Sequence, residues 1–259
     1  GQNIALLVPK RVEQDIPWSN VTVAANIAGH VAVSAKTTDY YFPLYLYDDA
    51  DPQDLFADHE PGAKHSNVNP DLVRHLTAAY GYAPAPEAVL GHVYAVLHSP
   101  AYRAEFAEFL RLDFPRVPFA STAAAFEALA AEGGRLIALH LLESPELDPP
   151  ACRYPVAGDN TVRTTGKTGL RYDGDRQRVY INADQYFEPV PPAVWALRVG
   201  GYQPADRWLR DRRGRQLSLD DVQTYCRIIT AMGRTIEVQA GLDALLAPVL
   251  RDPLPLKLD

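Results

Sequence analysis

Residues 170–182 read LRYDGDRQRVYIN, two short runs with bulky and β-branched side chains on either side of Asp173-Gly174. An Asp-Gly pair between such runs is a hairpin signal, because both residues tolerate the left-handed backbone of a tight turn. That hairpin decides how the preceding residues, TVRTTGKTGL (161–170), are to be read. They contain Gly166-Lys167-Thr168, the ending of many nucleotide phosphate loops. Such a loop needs a glycine five residues before the Gly-Lys pair, a buried strand before it and a helix after it. Five residues before Gly166 stands Thr161, and the nearest earlier glycine is Gly158. A strand pair follows in place of a helix. The segment is therefore expected to be an exposed basic loop at the entrance of a hairpin, with no nucleotide.

Downstream, AVWALRVGGY (193–202) is expected to be a further strand, and QPADRWLRD (203–211) a short helix ended by RRGR. Ser218 is placed to cap a long final helix whose buried stripe is Val222, Tyr225, Ile229, Met232 and Ile236. Upstream, Pro145, Pro149, Pro150 and Pro155 make a linker-like stretch. Before it the chain reads as helices. Asn69-Pro70 opens one that Gly81 ends, and PEAVLGHVYAVLHS (86–99) puts Val89, Val93, Val96 and Leu97 on one face. Ser99-Pro100 opens another, with Tyr102, Phe106, Phe109 and Leu110 at helical spacing as packing residues. Ser121 or Thr122 caps an alanine-rich helix that Gly133-Gly134 interrupts. The opening third reads as strands: NIALLV (3–8), WSNVTVAANIAGHVAVSAKT (18–37) and YYFPLYLY (40–47), with Pro43 marking an edge or bulge. Residues 48–60 read as a solvated loop. The expected fold is mixed α/β (α+β). A strand-rich part covers 1–62, a helical part 63–150, and a mixed part with the basic loops 151–259. Together they would form one compact unit ending in a long helix.

The 259 residues are 47% hydrophobic and 22% charged, enough to bury a sizeable core. No apolar run is long enough to span a membrane, and no signal peptide is read. Two cysteines, Cys152 and Cys226, lie far apart and outside any C-x-x-C pair. They read as two separate, reduced, partly buried thiols of a cytoplasmic protein. The chain opens Gly1-Gln2-Asn3 without methionine, which reads as a tag scar on a fragment of a longer protein. The net charge of −7 is unevenly spread: Asp48–Glu60 holds six acids and no Lys or Arg. In contrast, Arg163–Arg178 has five bases against two acids, and Arg198–Arg215 six against two. Two basic segments on a mildly acidic chain are compatible with one face turned to phosphates.

Catalytic and metal motifs fail on spacing. His59 and His65 flank Pro61 and Gly62 and cannot share a helical face, while His92, His98 and His140 sit at positions suited to core or boundary imidazoles. There is no G-x-S-x-G elbow and no G-x-G-x-x-G fingerprint. In LDPPACR (147–153), Ala151 stands where an amino-methyltransferase needs an aromatic residue to stack on a flipped base. What remains are groups suited to reading a surface. The first basic segment offers Arg163, Thr164, Thr165, Lys167, Thr168 and Arg171. The second offers Tyr202, Gln203, Arg207, Arg210, Arg212, Arg213 and Arg215, and Lys36 in SAKTTDYY is a weaker third. Arginine suits guanine edges and phosphate, glutamine suits adenine, and threonine or lysine suits phosphate or base.

Four segments then carry a family resemblance. YFPLYLY (41–47), VYAVLHSPAYRAEFAEFLRLDFPRVPF (93–119), LIALHLLES (136–144) and RVYINADQYFEPVPPAVWALRVGGYQPADRWLRDRRGRQLSLDDVQTY (178–225) together resemble the C-terminal specificity region of Type ISP restriction-modification enzymes and related adenine-specific methyltransferases. The resemblance implies a target-recognition domain that reads duplex DNA beside an upstream methyltransferase domain in the same polypeptide. It implies no catalysis and no cofactor in this part. The whole enzyme would use S-adenosylmethionine, and ATP with magnesium where it has a motor. It assigns no DNA contacts, since recognition loops differ between enzymes with different targets. A second reading is a protein–protein module coupling methyltransferase to translocase without touching bases.

Overall fold

In the computed structural model the described residues are 3–13, 16–25, 38–47 and 64–256. Lys36, His59 and the acidic stretch 48–60 lie outside them. The fold is mixed α/β with small antiparallel sheets, and the chain divides into two compact units, 1–137 with 241–259, and 138–240.

In the first unit, β1 (Ala5–Pro9) pairs antiparallel with both β2 (Thr22–Ala24) and β3 (Asp39–Pro43), giving the order β2-β1-β3. Pro43 closes an edge strand, where its missing N–H costs no ladder bond. β4 (Tyr45–Tyr47) pairs with β5 (Lys64–Ser66), an exposed three-residue strand too short to show in the sequence pattern. The helices begin where their caps predict. In α1 (Pro70–Tyr80), Asn69 Oδ1 accepts from the Asp71 amide at 2.7 Å. In α3 (Pro100–Glu105), Ser99 Oγ accepts from the Tyr102 amide at 3.2 Å. Each such cap contributes about 1 kcal/mol.

Between them, α2 (Pro86–His98) is buried on nearly every side, not on one stripe; Val93 is only half-buried while Tyr94 and Ala95 are fully enclosed. The helical run after Ser99 also differs from its spacing. It breaks at Phe106 (φ −104°, ψ 19°) before α4 (Ala107–Leu112), so Tyr102 and Leu110 are buried but Phe109 is 71% exposed.

Gly133-Gly134 does not interrupt its helix. α5 runs unbroken over Ala123–His140, because Gly133 meets Gly91 of α2 at a close crossing. A Cβ on Gly133 would lie 1.7 Å from the Gly91 carbonyl oxygen, and one on Gly91 would lie 2.5 Å from that of Ala130. The missing side chains let two backbones touch. His92 stacks beside this crossing between Phe119 and Phe126, its Nε2 2.9 Å from the Pro118 carbonyl oxygen; burial lowers its pKa.

In the second unit, β6 (Arg171–Asp173) and β7 (Arg178–Tyr180) form the expected hairpin, and β8 (Tyr186–Phe187) extends it. The turn, however, is the four residues 174–177, with Asp173 still in the strand and Gln177 (φ 52°), not the Asp-Gly pair, in the left-handed region. Residues 193–196, expected as part of a strand, are helical instead. Pro192 starts α6 (Pro192–Ala196) at the position where its lack of an N–H is harmless, and the only pairing left is a bridge between Val199 and Tyr202. α7 spans Pro204–Arg210 and α8 Leu219–Arg251. Ser218 and Asp221 cap α8 reciprocally: the Asp221 amide donates to Ser218 Oγ and the Ser218 amide to Asp221 Oδ2, both at 3.1 Å. Tyr225, Ile229 and Met232 of α8 are buried in one core with Val179, Phe187 and Leu209, and Val222 and Ile236 pack at its margin.

Cys152 and Cys226 are not in separate contexts. Both thiols are free, fully buried in this core, and interact directly. The Cys226 thiol beside it, and burial, push the Cys152 thiol far above its ordinary range. Among the described residues no helix is long and apolar enough to cross a membrane.

Candidate nucleic-acid interface

The two basic segments, separate in sequence, are brought together by backbone bonds between residues 160–162, just before the first, and residues 214–217 at the end of the second. The Val162 amide donates to the Arg215 carbonyl at 2.9 Å, Gly214 to Val162 at 2.7 Å, and Leu217 to Asn160 at 2.9 Å. On its other side the loop is tied to the hairpin by Arg163 N–H to the Ile181 carbonyl, 2.8 Å. Gly169 closes the loop: a Cβ there would lie 1.7 Å from the Thr164 carbonyl oxygen.

The loop, residues 157–159 and residues 182–185 surround an open cavity of about 540 Å³. Its floor is a hydrogen-bonded lock. Gln185, 2% exposed, accepts through Oε1 from the Asn160 amide and from Asn182 Nδ2, both at 2.8 Å. Its Nε2 donates to the Val156 carbonyl at 3.0 Å and to Asn160 Oδ1 at 2.8 Å. Asn182 Oδ1 accepts from the amides of Asp184 and Gln185 at 3.1 and 2.8 Å. A wall fixed in this way pre-organises whatever the exposed loop presents.

The candidate residues divide by what they already hold. Arg171 donates to the carbonyls of Gly169 and Asn182 at 3.1 and 3.0 Å and lies 3.8 Å over the Tyr180 ring, so it fastens loop to hairpin. Four arginines face carboxylates: Arg163–Asp159 and Arg207–Asp211 at 2.8 Å, Arg212–Asp221 at 3.1 Å, and Arg210–Asp206. Arg212 also lies over the Trp208 ring at 3.4 Å, and Arg207 over that of Tyr202 at 5.0 Å. Gln203 donates to the Trp195 carbonyl. Lys167, Arg213 and Arg215 are exposed, and none has an acidic partner among the described residues. Arg163, Thr164, Thr165 and Thr168 line the cavity; Tyr202, Gln203, Arg207 and Arg210 do not. Asp159, Asn182, Asp184 and Gln185 were not singled out by sequence reasoning. The short polar run NADQ (182–185) between two strands was the available signal, since asparagine there can cap its own turn.

Residues 1–239 match the family model described as the Type ISP C-terminal specificity domain. The chain belongs to this family. No curated protein matches this specificity domain. Among solved structures, it is similar to the ATP-dependent Type ISP restriction-modification enzyme LlaBIII bound to DNA, at 17% identity and TM-score 0.66, over 93% of this chain and 16% of that one. It is similar also to a nuclease-deletion mutant of the Type ISP enzyme LlaGI in complex with a DNA substrate mimic, at 16% identity and TM-score 0.62, over 93% and 18% of the two chains. A third is the DrdV–DNA complex, at 20% identity and TM-score 0.60, over 95% and 24%. The specificity domain thus spans at most about a quarter of the length of these chains.

Three carboxylates hold this unit of the specificity domain together, and each has a lowered pKa. The Thr161 amide and Arg163 lower that of Asp159. For Glu188, burial acts upward but Arg178 and Arg153 outweigh it; for Asp221, burial is outweighed by the Ser218 amide and Arg212. A carboxylate lowered in the folded state stabilises it above the unfolded pKa and loses that effect as pH falls through the folded value. Thermal midpoints are therefore expected to fall in two stages. The first lies below about pH 6.5, where the unfolded chain takes up a proton that buried His92 resists. The second is steeper and lies below about pH 4.5, as the three carboxylates lose their contribution. Melts between pH 7 and 3 check this, and Asp221→Asn should flatten part of the fall.

Proposed function

We propose that this specificity domain reads duplex DNA for an adenine-specific methyltransferase carried on the same polypeptide, and itself makes and breaks no bond. The observation that carries the proposal is the joining of the two basic segments around one rigid-walled loop, in a chain of this family. Lys167, Arg213 and Arg215 supply the backbone-positioning charges. The exposed loop beside them supplies base-edge contacts. S-adenosylmethionine, and ATP with magnesium, belong to the remainder of the polypeptide. The one segment here that approaches an amino-methyltransferase motif has Ala151 in the stacking position, with its amide fixed to Thr230 Oγ1 at 2.9 Å. No observation favours the coupling-module alternative.

Each phosphate contact contributes about 0.9 to the slope of log affinity against log salt. The triple variant Lys167→Ala, Arg213→Ala, Arg215→Ala is expected to lower that slope by about 3 units and to weaken binding to all sequences alike. Fluorescence anisotropy on short duplexes between 50 and about 200 mM salt reads both quantities. Unchanged slope and affinity would remove these three residues from the interface.

A further inference from the structure

The cavity beside the loop is not itself basic. Its wall groups fall into two sets by whether their hydrogen bonds are already committed. Asn182 and Gln185 are saturated by the lock, and Asp159 is held by the Thr161 amide at 2.9 Å and by Arg163. None of these is free to read anything. The Asp184 carboxylate and the hydroxyls of Thr164, Thr165 and Thr168 are exposed. Among the described residues they have no hydrogen-bond or ion-pair partner.

Asp184 is held at its own backbone, where its amide donates to Asn182 Oδ1 at 3.1 Å. Its backbone is thus held while its exposed carboxylate lines the cavity as an uncommitted acceptor, with Lys167, Arg213 and Arg215, which lack acidic partners among the described residues, on the adjoining loop and turn. An acceptor-only group is repelled by phosphate and by base edges made of acceptors, such as guanine O6/N7. It is complementary to an exocyclic amino group, and in the major groove cytosine N4 presents a donor without a neighbouring ring acceptor.

We infer that Asp184 is a specificity-determining residue of this domain, accepting from the amino group of a cytosine, with the loop threonines as flanking contacts. This deepens the DNA-reading proposal above and rests on it.

The test is selection of bound duplexes from a randomised pool by the wild-type chain, Asp184→Ala and Asp184→Asn, with Lys167→Ala as control. The wild type is expected to enrich a motif with a fixed C·G pair. In Asp184→Ala that pair becomes degenerate, its preference falling about tenfold, while the other positions persist. In Asp184→Asn the same position shifts toward adenine, which an amide pairs through N6 and N7. That shift separates reading from mere support of the loop. Lys167→Ala should weaken binding without altering the motif. An unchanged motif in both Asp184 variants would overturn the inference and leave the DNA-reading proposal standing. Binding by the wild type with no enriched motif would overturn that proposal, and the inference with it.

Discussion

Gly133→Ala is expected to destabilise the specificity domain by about 3 kcal/mol, enough to lower its melting midpoint by about 10 °C. The added methyl would lie 1.7 Å from the Gly91 carbonyl oxygen, a backbone atom that moves only if α2 and α5 separate. Separating them would loosen the packing around Leu129 and Leu136, both fully buried. The gain in helix propensity from glycine to alanine, about 1 kcal/mol, is too small to offset this. The adjacent residue provides the control. A Cβ on Gly134 meets nothing within 4 Å, so Gly134→Ala should leave stability unchanged or raise it by up to about 1 kcal/mol. Equal midpoints for the two variants would show that the helices do not cross as closely as described.

Gln185→Ala is the second large effect. Removing the side chain strips partners from the Asn160 amide, Asn182 Nδ2, the Val156 carbonyl and Asn160 Oδ1 together. Buried groups left unsatisfied cost about 1–3 kcal/mol each, and part of this is recovered as water enters. A net loss of about 3 kcal/mol is expected, concentrated in residues 156–169 and 182–185. Hydrogen exchange should show those amides opening first. The free cations are untouched, so affinity for random duplex should persist while discrimination between sequences falls. Unaltered exchange in the loop would show that Gln185 does not hold it.

What the sequence disclosed depended on how local the controlling interaction is. The hairpin pairing 171–173 with 178–180 and the caps at Asn69, Ser99 and Ser218 are settled within a few residues, and each was legible. AVWALRVGGY misled because its apolar run is ambiguous by pattern; Pro192, one residue before it, tips the balance to helix. Gly133-Gly134 misled for the opposite reason. The helix tolerates both glycines, and the need for Gly133 comes from a residue 42 positions earlier in the chain. The meeting of Cys152 with Cys226, and the pairing of 160–162 with 214–217, join segments tens of residues apart and leave no trace in periodicity. In the site, the types of residue were readable but not their commitments. Arg171 and Lys167 look alike in the sequence, yet one is fastened to three backbone and ring partners and the other is free.

Arg163, Arg207, Arg210 and Arg212 each carry their own counter-charge, and this bears on how a target is found. A duplex drifting past meets mostly neutralised pairs, with few bare charges to hold it. Dwell on random sequence should then be brief, and many stretches can be sampled in the time a strongly basic surface would spend on one. Because unrelated sites in a genome outnumber the target by many orders of magnitude, a weak grip on the wrong ones shortens the search.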